Sequence, residues 1–393
     1  MSRPLIARSP DLLRLQNEGY DIGVRDGFLL VKDVPYVTAA REIKRGILIS
    51  ALELNGDKTT TPQNHVAMWT GEHPCHHDGR SITTIANPSP PQDLGGGIRA
   101  DFTFSAKAAY RDYHHKMTTY IARICGEAKA IDSSVTAATF PAMPTEEGES
   151  VFRYLDTASS RVGIGALNDR LVGLKIAIVG LGGTGSYVLD LVAKTCVAEI
   201  HLFDADVYSQ HNAFRSPGAA SIEDLQAKPS KLAYLSGIYN RMRRGIYSHE
   251  VYADVSTEVL YSMDFVFLCL DRGAAKKILV NMLVEKGIPF VDVGMGILQS
   301  QDKLTGLMRV TSFAAGDDPS VLARIDYSDE DMAKNEYSTN IQIAELNTLN
   351  AALAVIQWKK RYGIYRDSSR ANSYSYSIAA NEMANQADDE EAA

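Results

Sequence analysis

The residues with the strongest chemical signal follow one glycine-rich turn. Gly180-Leu181-Gly182-Gly183-Thr184-Gly185 contains the spacing GxGxxG. The first glycine of such a turn permits a tight reversal, the second lets a phosphate approach the backbone, and the third lets the next helix pack close to the sheet. Asp204 follows about twenty residues on, where a carboxylate can accept hydrogen bonds from a ribose. Asn212 and Arg215 come eight and eleven residues after Asp204, and Lys231 sixteen residues after Arg215. Asp271 closes a later apolar run. Dinucleotide cofactors also use the glycines and the acid, but a pyrophosphate has no task for two cations, an amide and a second carboxylate. A triphosphate with magnesium does: cations for the phosphates and a carboxylate for the metal. Asp206 either helps position that metal or caps its own loop.

The elements that must hold these groups are legible around them. Ile176-Ala177-Ile178-Val179 is a continuous apolar run of the kind that forms a parallel strand buried on both faces. Ser186 to Thr195 predicts a helix whose N-terminal N–H groups face the phosphates. Glu199 to Phe203 predicts a second strand, Phe265 to Leu270 a third, and Pro289 to Gly294 a further one. Strand, glycine turn, helix, strand and acid together predict an α/β fold with a doubly wound, Rossmann-like, mainly parallel sheet. In such sheets ligands bind at the C-terminal edge of the strands.

With those residues in order, the stretch from about 155 to 360 resembles the ThiF/MoeB family, the adenylating domain shared by bacterial sulfur-carrier activating enzymes and ubiquitin-activating enzymes. The resemblance implies a phosphate loop at Gly180, Gly182, Gly183 and Gly185, with Asp204 on the ribose. It implies that Asn212, Arg215 and Lys231 contact ATP phosphates and that Asp271 binds Mg2+. Ser216 departs from the family's usual glutamine, and Pro229-Ser230-Lys231 departs from its usual Pro-Lys, which leaves Lys228 as an alternative register. The resemblance further implies ATP-dependent adenylation of a carboxylate, the C-terminal glycine of a small ubiquitin-like or sulfur-carrier protein. It implies a homodimer in which an arginine, here nearest to Arg161, reaches the partner's ATP. The plain alternative for Arg161 is a surface or capping role. The acidic stretch from Asp317 to Asn335 would be the loop that guides the carrier's tail.

The remaining sequence bounds these expectations. The chain has 393 residues, a net charge of −8 and 45% hydrophobic content, which fits two globular domains and argues against a general nucleic-acid binder. No apolar run is long enough to span a membrane. The first residues lack the apolar core of a signal peptide, and the four cysteines form no CxxC pair, so a cytoplasmic location and no four-cysteine zinc site are expected. Residues 1–150 predict a smaller α+β domain, 151–385 the ATP-binding adenylation domain, and 386–393 an acidic tail. In the first region, Gly27–Val31, Ile47–Ile49 and Phe102–Phe104 predict strands, with a turn at Pro35. A helix is predicted over Ala106–Ile131, with Tyr110, Tyr113, Met117, Tyr120, Ile121 and Ile124 on one face.

His73, Cys75, His76, His77 and Asp78 crowd one segment. They could ligate a metal or activate the Cys75 thiol as a carrier nucleophile, or they could form a polar loop around an inert cysteine. Cys196 and Cys269 are expected to be buried and inert, and Asp292 to cap a turn or line the substrate's path. A short helix is expected over 163–172. A long helix is expected over Asn340–Tyr362, with Ile343, Leu346, Leu349, Leu353 and Ile356 as its core or dimer stripe, followed by a strand near Ser373–Ile378. The adenylate could stop on the enzyme, pass to a separate thiol-bearing conjugating protein, or use Cys75. Three rival functions remain: an NAD-dependent dehydrogenase, activation of a small-molecule or tRNA carboxylate, and a non-catalytic scaffold.

Overall fold

The computed structural model describes residues 3–327 and 341–386. The chain divides into two compact units: Met1–Met143 with Ser160–Val162, and Pro144–Ser159 with Gly163–Ala393. The segment Pro144–Ser159 falls within the second unit. Its tie is Arg244, whose guanidinium donates to the backbone oxygens of Thr145, Ser150 and Phe152.

The first unit is built on β1 (Ile22–Arg25), β2 (Phe28–Val37), β3 (Ile43–Ala51), β4 (Val66–Thr70), β5 (Ala86–Asn87) and β6 (Phe102–Ser105). They pair antiparallel in the order β1-β2-β3-β4-β6-β5. The helices α1 (Pro10–Asn17) and α2 (Tyr113–Ile131) pack with Trp69 and Phe104 into one core. The aromatic stripe from Tyr110 to Ile124 is buried as its spacing predicts. The helix itself starts seven residues later than expected, because Asp112 caps it, accepting from His115 N at 2.7 Å. Pro35 lies inside β2, paired with Arg45, and does not mark a turn. The irregularity is two residues earlier, where Asp33 sits at φ 54 and the register shifts between Val31 and Val34.

The second unit carries β7 (Lys175–Val179), β8 (Glu199–Phe203), β9 (Ile246–His249), β10 (Phe265–Leu268), β11 (Phe290–Ser300), β12 (Lys303–Phe313), β13 (Ser373–Ser377) and β14 (Glu382–Gln386). Their order is β9-β8-β7-β10-β11-β12-β13-β14. The first five run parallel, and the last three continue the sheet antiparallel. Phe265, Val266, Phe267 and Leu268 of β10 have no exposed surface. Each such side chain contributes about 1.5–3 kcal/mol by burial, which fixes this run in the middle of the sheet. The chain leaves β7 toward β8 on one side and returns to β10 on the other. The C-terminal end of β7 is therefore the switch point where an open sheet offers a crevice.

Three helices flank that crevice: α3 (Gly183–Ala193), α4 (Lys231–Tyr239) and α5 (Gly273–Glu285). A fourth, α6 (Ala344–Arg361), packs on α3. Its end follows the expected rule: Gly363, at φ 68, donates its N–H back to Lys360 O at 2.9 Å. Its buried face does not follow the leucine stripe. Asn347, Asn350, Ala351, Ala354, Val355 and Trp358 face inward, whereas Leu346, Leu349 and Leu353 are half-buried and Ile356 is 40% exposed. The expected helix over 163–172 is two short turns, Gly165–Asn168 and Asp169–Leu171, with Val172 exposed. Asn340 and the acidic tail from 387 lie outside the described residues, as does the part of the expected crossing loop from 328 to 335.

Candidate nucleotide-binding site

The glycine loop connects β7 to α3, and its four glycines have different reasons to be glycine. Gly180 has φ 88, and a Cβ there would lie 2.6 Å from Cys269 O. A Cβ on Gly185 would sit 1.9 Å from Gly180 O, and one on Gly183 would strike the Asn347 side chain at 2.2 Å. These three are demanded by the protein's own packing. Gly182 is not: a Cβ there meets nothing within 4 Å. Gly182 is also the N-cap of α3, with no side chain capping the helix. Unsatisfied first-turn N–H groups beside open space form a ready anion cradle.

Different outcomes follow for two alanine substitutions. Gly185→Ala should lower the melting temperature or prevent folding. Gly182→Ala should fold normally and weaken ATP binding by about tenfold, the scale of a lost charge-assisted hydrogen bond. Calorimetry with and without ATP checks both.

Asp204, at the end of β8, is buried. Its Oδ2 accepts from Leu181 N at 2.7 Å and its Oδ1 from Asp206 N at 2.8 Å. The acid thereby braces the glycine loop and its own loop at once. Lys231 opens α4, and its side chain is only 9% exposed. Its Nζ donates to Asp206 Oδ2 at 2.6 Å and to Asp204 Oδ2 at 3.3 Å. Lys228, the alternative register, is an exposed residue at φ 47. For Asp206, burial would raise the carboxyl's pKa, but hydrogen bonds from Lys231 and Tyr252 outweigh it and hold the group below its usual range.

Asn212 is buried, and its Oδ1 accepts from Ser209 N at 2.8 Å. Its Nδ2 is then the group it can offer a phosphate. Arg215 donates from Nη1 to Gln342 Oε1 at 2.8 Å, while its Nε is buried with no hydrogen-bond partner. Burial lowers the pKa of this guanidinium, and the nearby Asp271 charge opposes that shift. Among the described residues Arg215 has no ion-pair partner, so it is a half-buried cation with one orphan donor. Asp271 itself is exposed, three residues past the end of β10. The donors fit a polyphosphate and the exposed carboxylate fits a hard cation.

Two other candidates, Arg161 and Cys75, belong to the first unit. Arg161 ends the short helix Thr157–Arg161, with its guanidinium 5.1 Å from the Phe140 ring centroid in the first unit. Cys75, also in the first unit, is 2% exposed, and its Sγ contacts His73 O at 3.4 Å. His76 and His77 turn to Glu127 instead, at 2.8 and 2.9 Å. Asp78 pairs with Arg80. The thiol is therefore enclosed, and among the described residues no group of three or more His, Cys, Asp or Glu side chains could hold a metal. Burial pushes the Cys196 and Cys269 thiols up, as expected of inert cysteines.

Asp292 caps no turn. It forms a buried pair with Lys276 of α5 at 3.0 Å, and burial pushes its carboxyl up to about 6 against the pull of Lys276. Tyr252 and Arg272 were not legible. Tyr252 donates its hydroxyl to Asp206 Oδ1 at 2.6 Å, and Arg272 lies over its ring. Both sit on loops, where no periodicity marks them.

A ThiF family model matches residues 158–357. The chain belongs to the ThiF family. Membership carries ATP-dependent carboxylate adenylation in general and an adenylyltransferase-type enzyme, without specifying the carboxylate. The preceding region, residues 10–157, matches a domain of unknown function, DUF6791. No curated protein matches the chain. Among solved structures, selenomethionine PaaA is 18% identical over 56% of this chain and 75% of its own, with a TM-score of 0.45. E. coli MccB with ATP is 18% identical over 58% of this chain and 67% of its own, also at 0.45. E. coli MccB with selenomethionine MccA is 14% identical over 59% and 69%, at 0.46. Among the described residues of this ThiF chain, no helix is long and apolar enough to cross a membrane.

Proposed function

We propose that this chain uses ATP and Mg2+ to adenylate the C-terminal carboxylate of a small ubiquitin-like or sulfur-carrier protein. The observation that carries the reading is the pairing of an open backbone cradle at Gly182 with two largely enclosed cations, Lys231 and Arg215. The carboxylate oxygen attacks the α-phosphorus, the bond from that phosphorus to the bridging oxygen breaks, and pyrophosphate leaves with the electron pair. An acyl-adenylate remains. A carboxylate is already ionised near neutral pH, so no general base is needed and catalysis rests on positioning and charge stabilisation. Lys231, Arg215 and Asn212 hold the phosphates, and Asp204 lines the ribose side. Asp271 would hold Mg2+, which supplies neutralisation of phosphate charge.

Two features support a carrier tail as the substrate. Gly296 of β11 is exposed, and a Cβ there meets nothing within 4 Å, which suits a thin peptide passing close to the backbone. The half-buried leucine stripe of α6 suits a homodimer, in which Arg161 of each copy reaches the other's ATP. The enclosure of Cys75 favours handing the adenylate to a separate thiol-bearing conjugating protein in the cytoplasm.

The test is ATP–pyrophosphate exchange with candidate carrier proteins that end in glycine and with the same proteins lacking that residue. Exchange that requires the intact tail is expected. Exchange stimulated by a small-molecule or tRNA carboxylate, and by no protein tail, replaces this substrate class with that one.

A further inference from the structure

The loops after β8, β9 and β10 are tied by a chain of contacts that phosphate binding alone does not use. Lys231 Nζ lies 2.6 Å from Asp206 Oδ2, and Tyr252 donates to the other oxygen, Asp206 Oδ1, also at 2.6 Å. Arg272 Cζ lies 4.9 Å from the Tyr252 ring centroid. Tyr252 is 54% exposed and the Asp206 side chain 46% exposed, so neither is held there by core packing. Lys231 is the reverse, an enclosed ammonium that must keep a counter-charge. Without nucleotide, that counter-charge is Asp204 and Asp206. Once Lys231 turns to a phosphate, Asp206 loses one of its two side-chain donors while a second anion arrives nearby. Unless another donor holds the carboxylate, it competes with the phosphate for the same lysine.

We propose that Tyr252, steadied by Arg272, is a positioning residue that holds Asp206 and so frees Lys231 for the triphosphate. The proposal rests on the ATP-site reading above. It assigns Asp206 as the resting partner of Lys231 and assigns Tyr252 as the donor that makes the exchange of partners cheap. The ring of Tyr252 matters less than its hydroxyl, because the hydroxyl makes the contact.

Calorimetric ATP titration in the presence of magnesium, with four full-length proteins, tests it: wild type, Tyr252→Phe, Asp206→Asn, and the double variant. Tyr252→Phe should weaken ATP binding by about fivefold, the scale of one ordinary hydrogen bond at a half-exposed carboxylate. In the Asp206→Asn background the same change should alter affinity less than about twofold, because the competing charge is gone. A purely structural role for Tyr252 would give the same loss in both backgrounds, and that result overturns the proposal. So does an unchanged affinity in Tyr252→Phe, or an Asp206→Asn protein that binds no ATP. A wild type that binds no ATP overturns the site reading itself, a failure told apart because it precedes any substitution.

Discussion

Asp271→Ala lowers ATP–pyrophosphate exchange by about a thousandfold, the scale of several kcal/mol of lost metal-assisted charge stabilisation, and leaves the melting temperature unchanged. The split follows from its position. Asp271 is exposed and lies past the end of β10, so its removal empties no core and orphans no buried partner. Its charge acts on Arg215, whose pKa burial lowers and the Asp271 charge raises. Nucleotide titrations should show the loss chiefly when magnesium is present. Normal exchange in Asp271→Ala would remove Asp271 from the metal role. A large fall in melting temperature would mark it as structural.

Lys231→Ala acts differently, because Lys231 is enclosed between two carboxylates. Exchange should fall by about a hundred- to a thousandfold, as for the loss of one preorganised donor. Stability should fall too. Asp204, 6% exposed, is left beside Asp206 with no cation between them. Breaking a fully buried pair costs about 3–5 kcal/mol, and the cost here is smaller because Asp206 is about half in water. Adding Asp206→Asn to Lys231→Ala should recover much of the lost melting temperature and none of the lost exchange. Recovery of exchange in that double variant would show that Lys231 serves stability alone.

The βαβ unit was legible because its constraints are local. An apolar strand, a glycine turn and an acid at the next strand's end are fixed by sequence spacing, and Glu199–Phe203 and Asp204 stand where that spacing puts them. Gly183 carried more information than its position in the motif suggested. It is glycine because Asn347, more than 150 residues later, occupies the space beside it. The same Asn347 explains why the leucine stripe misread α6. The helix turns polar residues inward to meet α3, with Thr184 Oγ1 donating to Asn347 Oδ1 at 2.9 Å. An apolar-periodicity argument cannot see a face chosen by hydrogen bonds. Tyr252, Arg272 and the Lys276–Asp292 pair were hidden for a related reason: each depends on two distant segments meeting at a strand end. Around Cys75, adjacency in sequence did not say where His76 and His77 turn: both go to Glu127, about 50 residues later.

The most direct test of carboxylate adenylation follows the oxygen. A carrier protein with an 18O-labelled C-terminal carboxylate would be incubated with the enzyme, ATP, magnesium and hydroxylamine. Hydroxylamine cleaves an acyl-adenylate at the acyl carbon and leaves the bridging oxygen on the nucleotide. The account predicts 18O in AMP, unlabelled pyrophosphate and a hydroxamate on the carrier. Label in inorganic phosphate with ADP as the nucleotide product would place attack at the γ-phosphorus and contradict it.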